Sequence, residues 1–131
     1  MVGGCGEAIV AAEFLKRGIP VYRPIVDNGA DLVVDIGGEL KRVQVKSSIS
    51  TDRRVIFHLG RRNPNREAGA ECWLAYDHEA VDWYALCCIG HNFTALVRPD
   101  KSTKRLTFGR DERLRDIEIG AVIERELEEN K

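Results

Sequence analysis

The chain has 131 residues, of which 44% are hydrophobic, with 20 Lys and Arg against 21 Asp and Glu for a formal net charge of -1. That size allows one ordinary core, and 4 prolines without any low-complexity tract argue against a linker, so a single domain over 1–131 is expected, with a core at about 6–99 and a helical tail at about 111–131. No apolar run approaches the ~20 residues of a membrane span, and no basic stretch leading into an apolar segment opens the chain, which makes a cytoplasmic location the expectation.

In chain order, Gly6 to Arg17 predicts a helix that ends at Gly18. Glu7, Val10, Ala11 and Phe14 recur at helical spacing, so Glu7 continues the buried stripe at its N-terminal end. Ile19 to Pro24 reads as a short strand whose prolines suit a sheet edge. Leu32 to Ile36 and Leu40 to Val45 then flank Gly37-Gly38, and a Gly-Gly pair supplies the positive φ angles of a tight hairpin turn. With Ile36 opposite Glu39, Asp31 falls across from Gln44, and Lys46 follows on the Gln44 face. One face of the hairpin carries Asp31, Asp35, Arg42, Gln44 and Lys46, and the other carries Leu32, Val34, Ile36, Val43 and Val45 toward the core.

Further strands are expected at Arg53 to Gly60, Trp83 to Ile89 and Phe93 to Val97, the last two joined by Gly90-His91-Asn92. Between them Arg61 to Gly69 reads as a basic loop. Glu112 to Glu129 is helical in parts, with Gly120 predicted to split it and a final helix from Ala121 carrying Val122, Ile123 and Leu127. This order of elements predicts an α/β or α+β fold, a mixed β-sheet flanked by helices.

Net charge conceals its distribution. Glu39 to Arg66 carries a local charge of +6, and Asp111 to Lys131 carries -4, so the middle of the chain suits phosphates while the tail suits a dimer contact, a cover for the basic surface or a solvated end.

Glu7 on a first helix, Asp31 at the head of a strand and Gln44-Val45-Lys46 on the next strand resemble the PD-(D/E)xK nuclease superfamily, which includes restriction enzymes and archaeal Holliday junction resolvases. Val43-Gln44-Val45-Lys46-Ser47 followed by Tyr76-Asp77-His78-Glu79-Ala80-Val81-Asp82-Trp83-Tyr84-Ala85 is similar to the group I intron-encoded homing endonucleases of that superfamily. The resemblance spans Gly6 to Pro99, with Ala30 in place of the superfamily's Pro and Gln44 in place of its acidic residue. It implies a restriction-endonuclease-like core and a Mg²⁺-dependent endonuclease acting on double-stranded DNA, with Mn²⁺ as a substitute ion.

The chemistry of these residue types agrees. Phosphodiester hydrolysis needs charge neutralisation at phosphorus, an attacking water and a stabilised leaving oxygen, and a hard cation serves all three. Asp31, the Gln44 side-chain oxygen, the Val45 carbonyl and Glu7 are the candidate ligands, and Lys46 is the candidate to orient water or offset charge. Arg42, Arg53, Arg54, Arg61, Arg62 and Arg66 are candidate phosphate contacts. One site cuts one strand, so paired cutting implies a homodimer or higher homo-oligomer. A catalytically inactive DNA-binding or protein-interaction module, and a structure-specific resolvase of branched DNA, are the alternative readings.

Other titratable residues have plainer roles. Asp35 lies ~13 Å from Asp31 along the strand and reads as a solvated hairpin residue. His58 reads as structural, Asp82 as a turn anchor, and Trp73, Tyr76, Trp83 and Tyr84 mainly as core. The spacing of Cys5, Cys72, Cys87 and Cys88 matches neither a zinc-ribbon nor a redox motif, so all are read as reduced, and a zinc site from Cys72, His78 and the Cys87-Cys88 pair is disfavoured.

Overall fold

The computed structural model describes residues 2–26, 29–62, 73–75, 81–98, 105–108 and 114–130, with 60–62, 73–75, 105, 106 and 108 described by their backbone. Helix α1 (Val2–Leu15) starts earlier than its sequence pattern predicts and buries Gly6, Val10 and Phe14, a stripe at spacing i, i+4, i+8. Gly18 follows it at φ +76°, the left-handed conformation that ends helices. The first strand, β1 (Val21–Tyr22), is shorter than expected because prolines stand on both sides of it and cannot donate to a ladder.

The hairpin forms in the predicted register. Strands β2 (Leu32–Ile36) and β3 (Glu39–Ser48) pair from Ile36↔Glu39 to Leu32↔Val43, around Gly37 and Gly38 at φ +62° and +89°. Strand β3 outruns its partner because its other edge has a second one. It pairs in parallel with a strand that will be β7, from Val43↔Trp83 to Ser48↔Cys88.

Before that strand come β4 (Val55–His58), β5 (Gly60–Arg62) and β6 (Trp73–Ala75), with β5 and β6 forming their own antiparallel pair. The backbone of Arg61 and Arg62 is therefore strand rather than loop, and the remainder of the predicted loop from Asn63 to Gly69 lies outside the described residues. Strand β7 (Trp83–Cys88) is buried along its whole length, as a central strand with a parallel neighbour should be. It pairs antiparallel with β8 (Phe93–Val97) through the short 3₁₀ turn Ile89–His91.

The main sheet is thus mixed and five-stranded, in the order β1-β2-β3-β7-β8. Strand β9 (Arg105–Phe108) pairs with β4 apart from it. A short helix α2 (Leu114–Ile117) precedes α3 (Ile119–Glu129), whose first turn contains Gly120 instead of breaking there. The break falls at Glu118, whose carboxylate accepts the N–H groups of Gly120 and Ala121 and so caps α3.

Each sheet face has its own core. Val10, Phe14, Leu32, Val34, Val43, Trp83, Ile119 and Ile123 belong to one cluster, which puts α1 and α3 over one face and makes the acidic C-terminal helix part of the core. Val55, Phe57, Leu59, Tyr84 and Leu86 form the second cluster on the opposite face. Among the described residues no helix is long and apolar enough to cross a membrane.

Candidate active site

Asp31 sits where the hairpin ladder fails. Alternation along β2 would put Ala30 on the face of Leu32, Val34 and Ile36, yet Ala30 is buried in the opposite cluster, with Tyr84 and Leu86. The strand therefore turns over at Asp31, and regular pairing ends at Leu32↔Val43 instead of running on to Asp31 and Gln44 as the sequence register predicts. Asp31 N–H donates to the Val43 carbonyl at 2.9 Å, and Asp31 Oδ2 accepts the Val45 N–H at 2.8 Å. The carboxylate thus occupies the place of a missing strand carbonyl, and the backbone and side-chain bonds of Asp31 together bracket Gln44.

In an antiparallel ladder a residue's N–H and C=O point to the same neighbour. Since the Val45 N–H is directed at Asp31, the Val45 carbonyl points to the same side of β3. Gln44 and Lys46 lie beside it on the other face of β3, both half-buried.

Glu7 arrives from α1. Its side chain is 22% exposed and faces Arg23, whose Nη1 stands 3.9 Å from Glu7 Oε1. Sequence reading placed Glu7 on the buried stripe but did not anticipate Arg23, because nothing local to Pro20-Val21-Tyr22-Arg23-Pro24 signals an ion pair with a helix.

The basic candidates divide. Arg42 is held by Asp82, which accepts both its backbone N–H at 2.8 Å and its Nε at 3.3 Å, while Asp82 N–H returns to the Arg42 carbonyl at 2.8 Å. Asp82 is thus the anchor that aligns β7 with β3. Arg53 and Arg54 are exposed in the bend after β3. That bend is pinned where His91 Nε2 donates to the Asp52 carbonyl at 2.7 Å and by serine-capped turns at Ser50 and Asp52. The side chains of Arg61 and Arg62, and all of Arg66, lie outside the described residues, as do Cys72, Tyr76 and His78.

Cys87 and Cys88 are buried free thiols. Burial pushes both upward in pKa, Cys88 to about 11. His58 is exposed on β4, and Asp35 accepts the Gly38 N–H at 2.9 Å, closing the hairpin turn.

The described residues gather no cluster of 3 or more His, Cys, Asp or Glu able to hold a metal ion. The candidate donors are all oxygens: the Asp31 carboxylate, the Gln44 amide, the Val45 carbonyl and, from α1, Glu7, whose described contact is with Arg23. Such donors fit a hard cation that keeps part of its water and takes further oxygens from a phosphate.

The family described as PD-(D/E)XK endonuclease matches residues 1–116. No curated protein sequence matches the chain. In fold it is similar to a bacterial homing endonuclease, I-Ssp6803I, at a TM-score of 0.74 and 19% identity, covering 98% of this chain and 92% of that one. It is also similar to Hjc of Archaeoglobus fulgidus, a Holliday junction resolvase from an archaeal hyperthermophile, at a TM-score of 0.53 and 18% identity, covering 93% and 95% of the two chains. Its mixed sheet with flanking helices is that of the restriction-endonuclease-like fold, and the chain belongs to the PD-(D/E)XK endonuclease family.

Proposed function

We propose that the chain is a Mg²⁺-dependent endonuclease that hydrolyses phosphodiester bonds in double-stranded DNA. The observation that carries this reading is the Asp31 carboxylate lodged against the Val45 N–H at 2.8 Å in place of a strand partner. It ties Asp31 to the strand that carries Gln44 and Lys46 on either side of Val45.

In this reading Asp31, the Gln44 side-chain oxygen, the Val45 carbonyl and Glu7 hold the cation, which supplies Lewis acidity at the scissile phosphate when bound. Asp31 Oδ2 is fixed by its backbone bond, so the carboxylate is oriented before any ligand arrives. Bringing the Glu7 and Asp31 carboxylates to about 4 Å would cost ~4 kcal/mol at an effective dielectric near 20, which a cation held between them offsets. Lys46 orients the attacking water and offsets charge that grows on the phosphoryl oxygens. Arg42, Arg53 and Arg54 hold backbone phosphates on either side of the cut, as do Arg61, Arg62 and Arg66.

Gln44 is neutral where a carboxylate would bind a cation more strongly, and this favours one competing reading, a nuclease-like module that binds DNA without cutting it. Supercoiled plasmid and four-way junctions incubated with wild type and Asp31→Ala in Mg²⁺, Mn²⁺ or chelator separate the two. The nuclease reading requires nicking that is lost in chelator and in Asp31→Ala, with duplex binding retained. Binding that survives both Asp31→Ala and Lys46→Ala without any cleavage by wild type supports the module instead. Preference for the junction over plasmid identifies a resolvase. Cutting both strands requires two copies of the site, so sedimentation with DNA should show at least a dimer; a monomer leaves a nickase.

A further inference from the structure

The N-terminal part of α1 is an unpromising platform for a site residue. Gly3, Gly4 and Gly6 all lie just ahead of Glu7, and each glycine within a helix costs roughly 1 kcal/mol relative to alanine. The three are not alike. A Cβ at Gly3 or Gly4 would meet no atom within 4 Å, whereas a Cβ at Gly6 would collide with Ser47 Oγ and lie 2.9 Å from Ser47 Cβ and 3.4 Å from Val45 Cγ1.

Ser47 is the other half of this contact. Its hydroxyl is buried and has no hydrogen-bond partner among the described residues, an arrangement that costs free energy and persists only when the surrounding packing fixes it. Ser47 follows Lys46 directly and faces α1 from β3, two residues beyond Val45 along the strand. The backbone of α1 therefore comes close to the site strand at the residue before Glu7. Rotating Ser47 clears its Oγ but not its Cβ, so any side chain at position 6 must move the helix itself.

We propose that Gly6 and Ser47 form a positioning pair that sets how far Glu7 reaches toward Asp31. This inference rests on the nuclease reading above and deepens it. Carbon atoms pack at about 3.5–4.0 Å, so an alanine at position 6 displaces the start of α1 by roughly 0.6–1 Å. A misplacement of about 1 Å in a reacting constellation lowers rate by about 100-fold.

The test is a mutant set measured for plasmid cleavage, with thermal unfolding and circular dichroism on each protein. Gly6→Ala should lower kcat about 100-fold while KM for DNA changes less than about threefold, because phosphate contacts lie elsewhere. Gly3→Ala should cleave as wild type does. Gly6→Ala with Ser47→Gly should restore most of the rate, and Gly6→Ala with Ser47→Ala should not, since only glycine removes the Cβ contact. In a Glu7→Gln background, Gly6→Ala should add less than about threefold, because the pair acts through Glu7. A folded Gly6→Ala protein that cuts normally, or an undiminished Gly6→Ala penalty in the Glu7→Gln background, overturns the positioning role and leaves the nuclease standing. A wild type that cuts nothing in any metal removes the nuclease and this inference together.

Discussion

Asp31 and Asp35 bound the same short strand, and each accepts a backbone N–H, yet they do opposite things. Asp35 bonds Gly38, its neighbour three residues on, and finishes a turn that the Gly37 and Gly38 backbone already favours. Asp31 bonds Val45 across the sheet, fourteen residues on, at the point where pairing has stopped. The turn end of the hairpin is satisfied within itself. At the open end regular pairing stops at Leu32↔Val43, and the Asp31 carboxylate takes a strand N–H in place of a backbone partner. A carboxylate becomes a candidate ligand less by its charge than by the incompleteness of the backbone beside it.

The sharpest way to break this contrast is to neutralise each aspartate. Asp31→Asn retains an oxygen for the Val45 N–H but loses the charge, and cleavage should fall on the order of 10³-fold. Asp35→Asn should cut within about twofold of wild type and lose at most ~1 kcal/mol of stability, read by denaturant unfolding. Equal losses in the two variants would dissolve the distinction. Next in size, Lys46→Ala should slow single-turnover cleavage on the order of 10²-fold with little change in duplex affinity.

The same edge can be strengthened. Gln44→Glu adds a negative charge beside Asp31 and should lower the Mg²⁺ concentration for half-maximal cleavage by about tenfold, about 1.4 kcal/mol. No change would mean that Gln44 does not face the cation. The smallest effects belong to the arginines. Arg53→Ala or Arg54→Ala should each reduce the slope of log affinity against log salt by about 0.9, as one lost phosphate contact does. Arg42→Ala should change it less, because Asp82 already neutralises part of that charge.

The turn end was legible in the sequence because its rules are local. Gly37-Gly38 fixed the hairpin, and the alternation of Leu32, Val34 and Ile36 fixed its inward face. The open end was legible in composition but not in geometry. Asp31, Gln44 and Lys46 stood out as candidates from residue type and spacing, whereas the reversal at Asp31 depends on Ala30 packing with Tyr84 and Leu86, which lie more than fifty residues away. The parallel pairing of β3 with β7 is equally non-local, as is the placement of Ile119 and Ile123 under the same sheet as Val10. Gly6 did leave a trace, a glycine at the head of the stripe that continues through Val10 and Phe14, where a small residue marks a close approach.

The most direct test of the account uses the two amides that the aspartates hold. Mn²⁺ titrated into ¹⁵N-labelled protein broadens nearby amide resonances, and Val45 and Gly38 lie seven residues apart on β3 and its turn, ~23 Å at strand rise. The account predicts that the Val45 and Lys46 signals broaden at the lowest Mn²⁺ concentrations while Gly38 stays sharp, and that Asp31→Asn abolishes the difference. Broadening that reaches Gly38 first, or that is unchanged in Asp31→Asn, would contradict it.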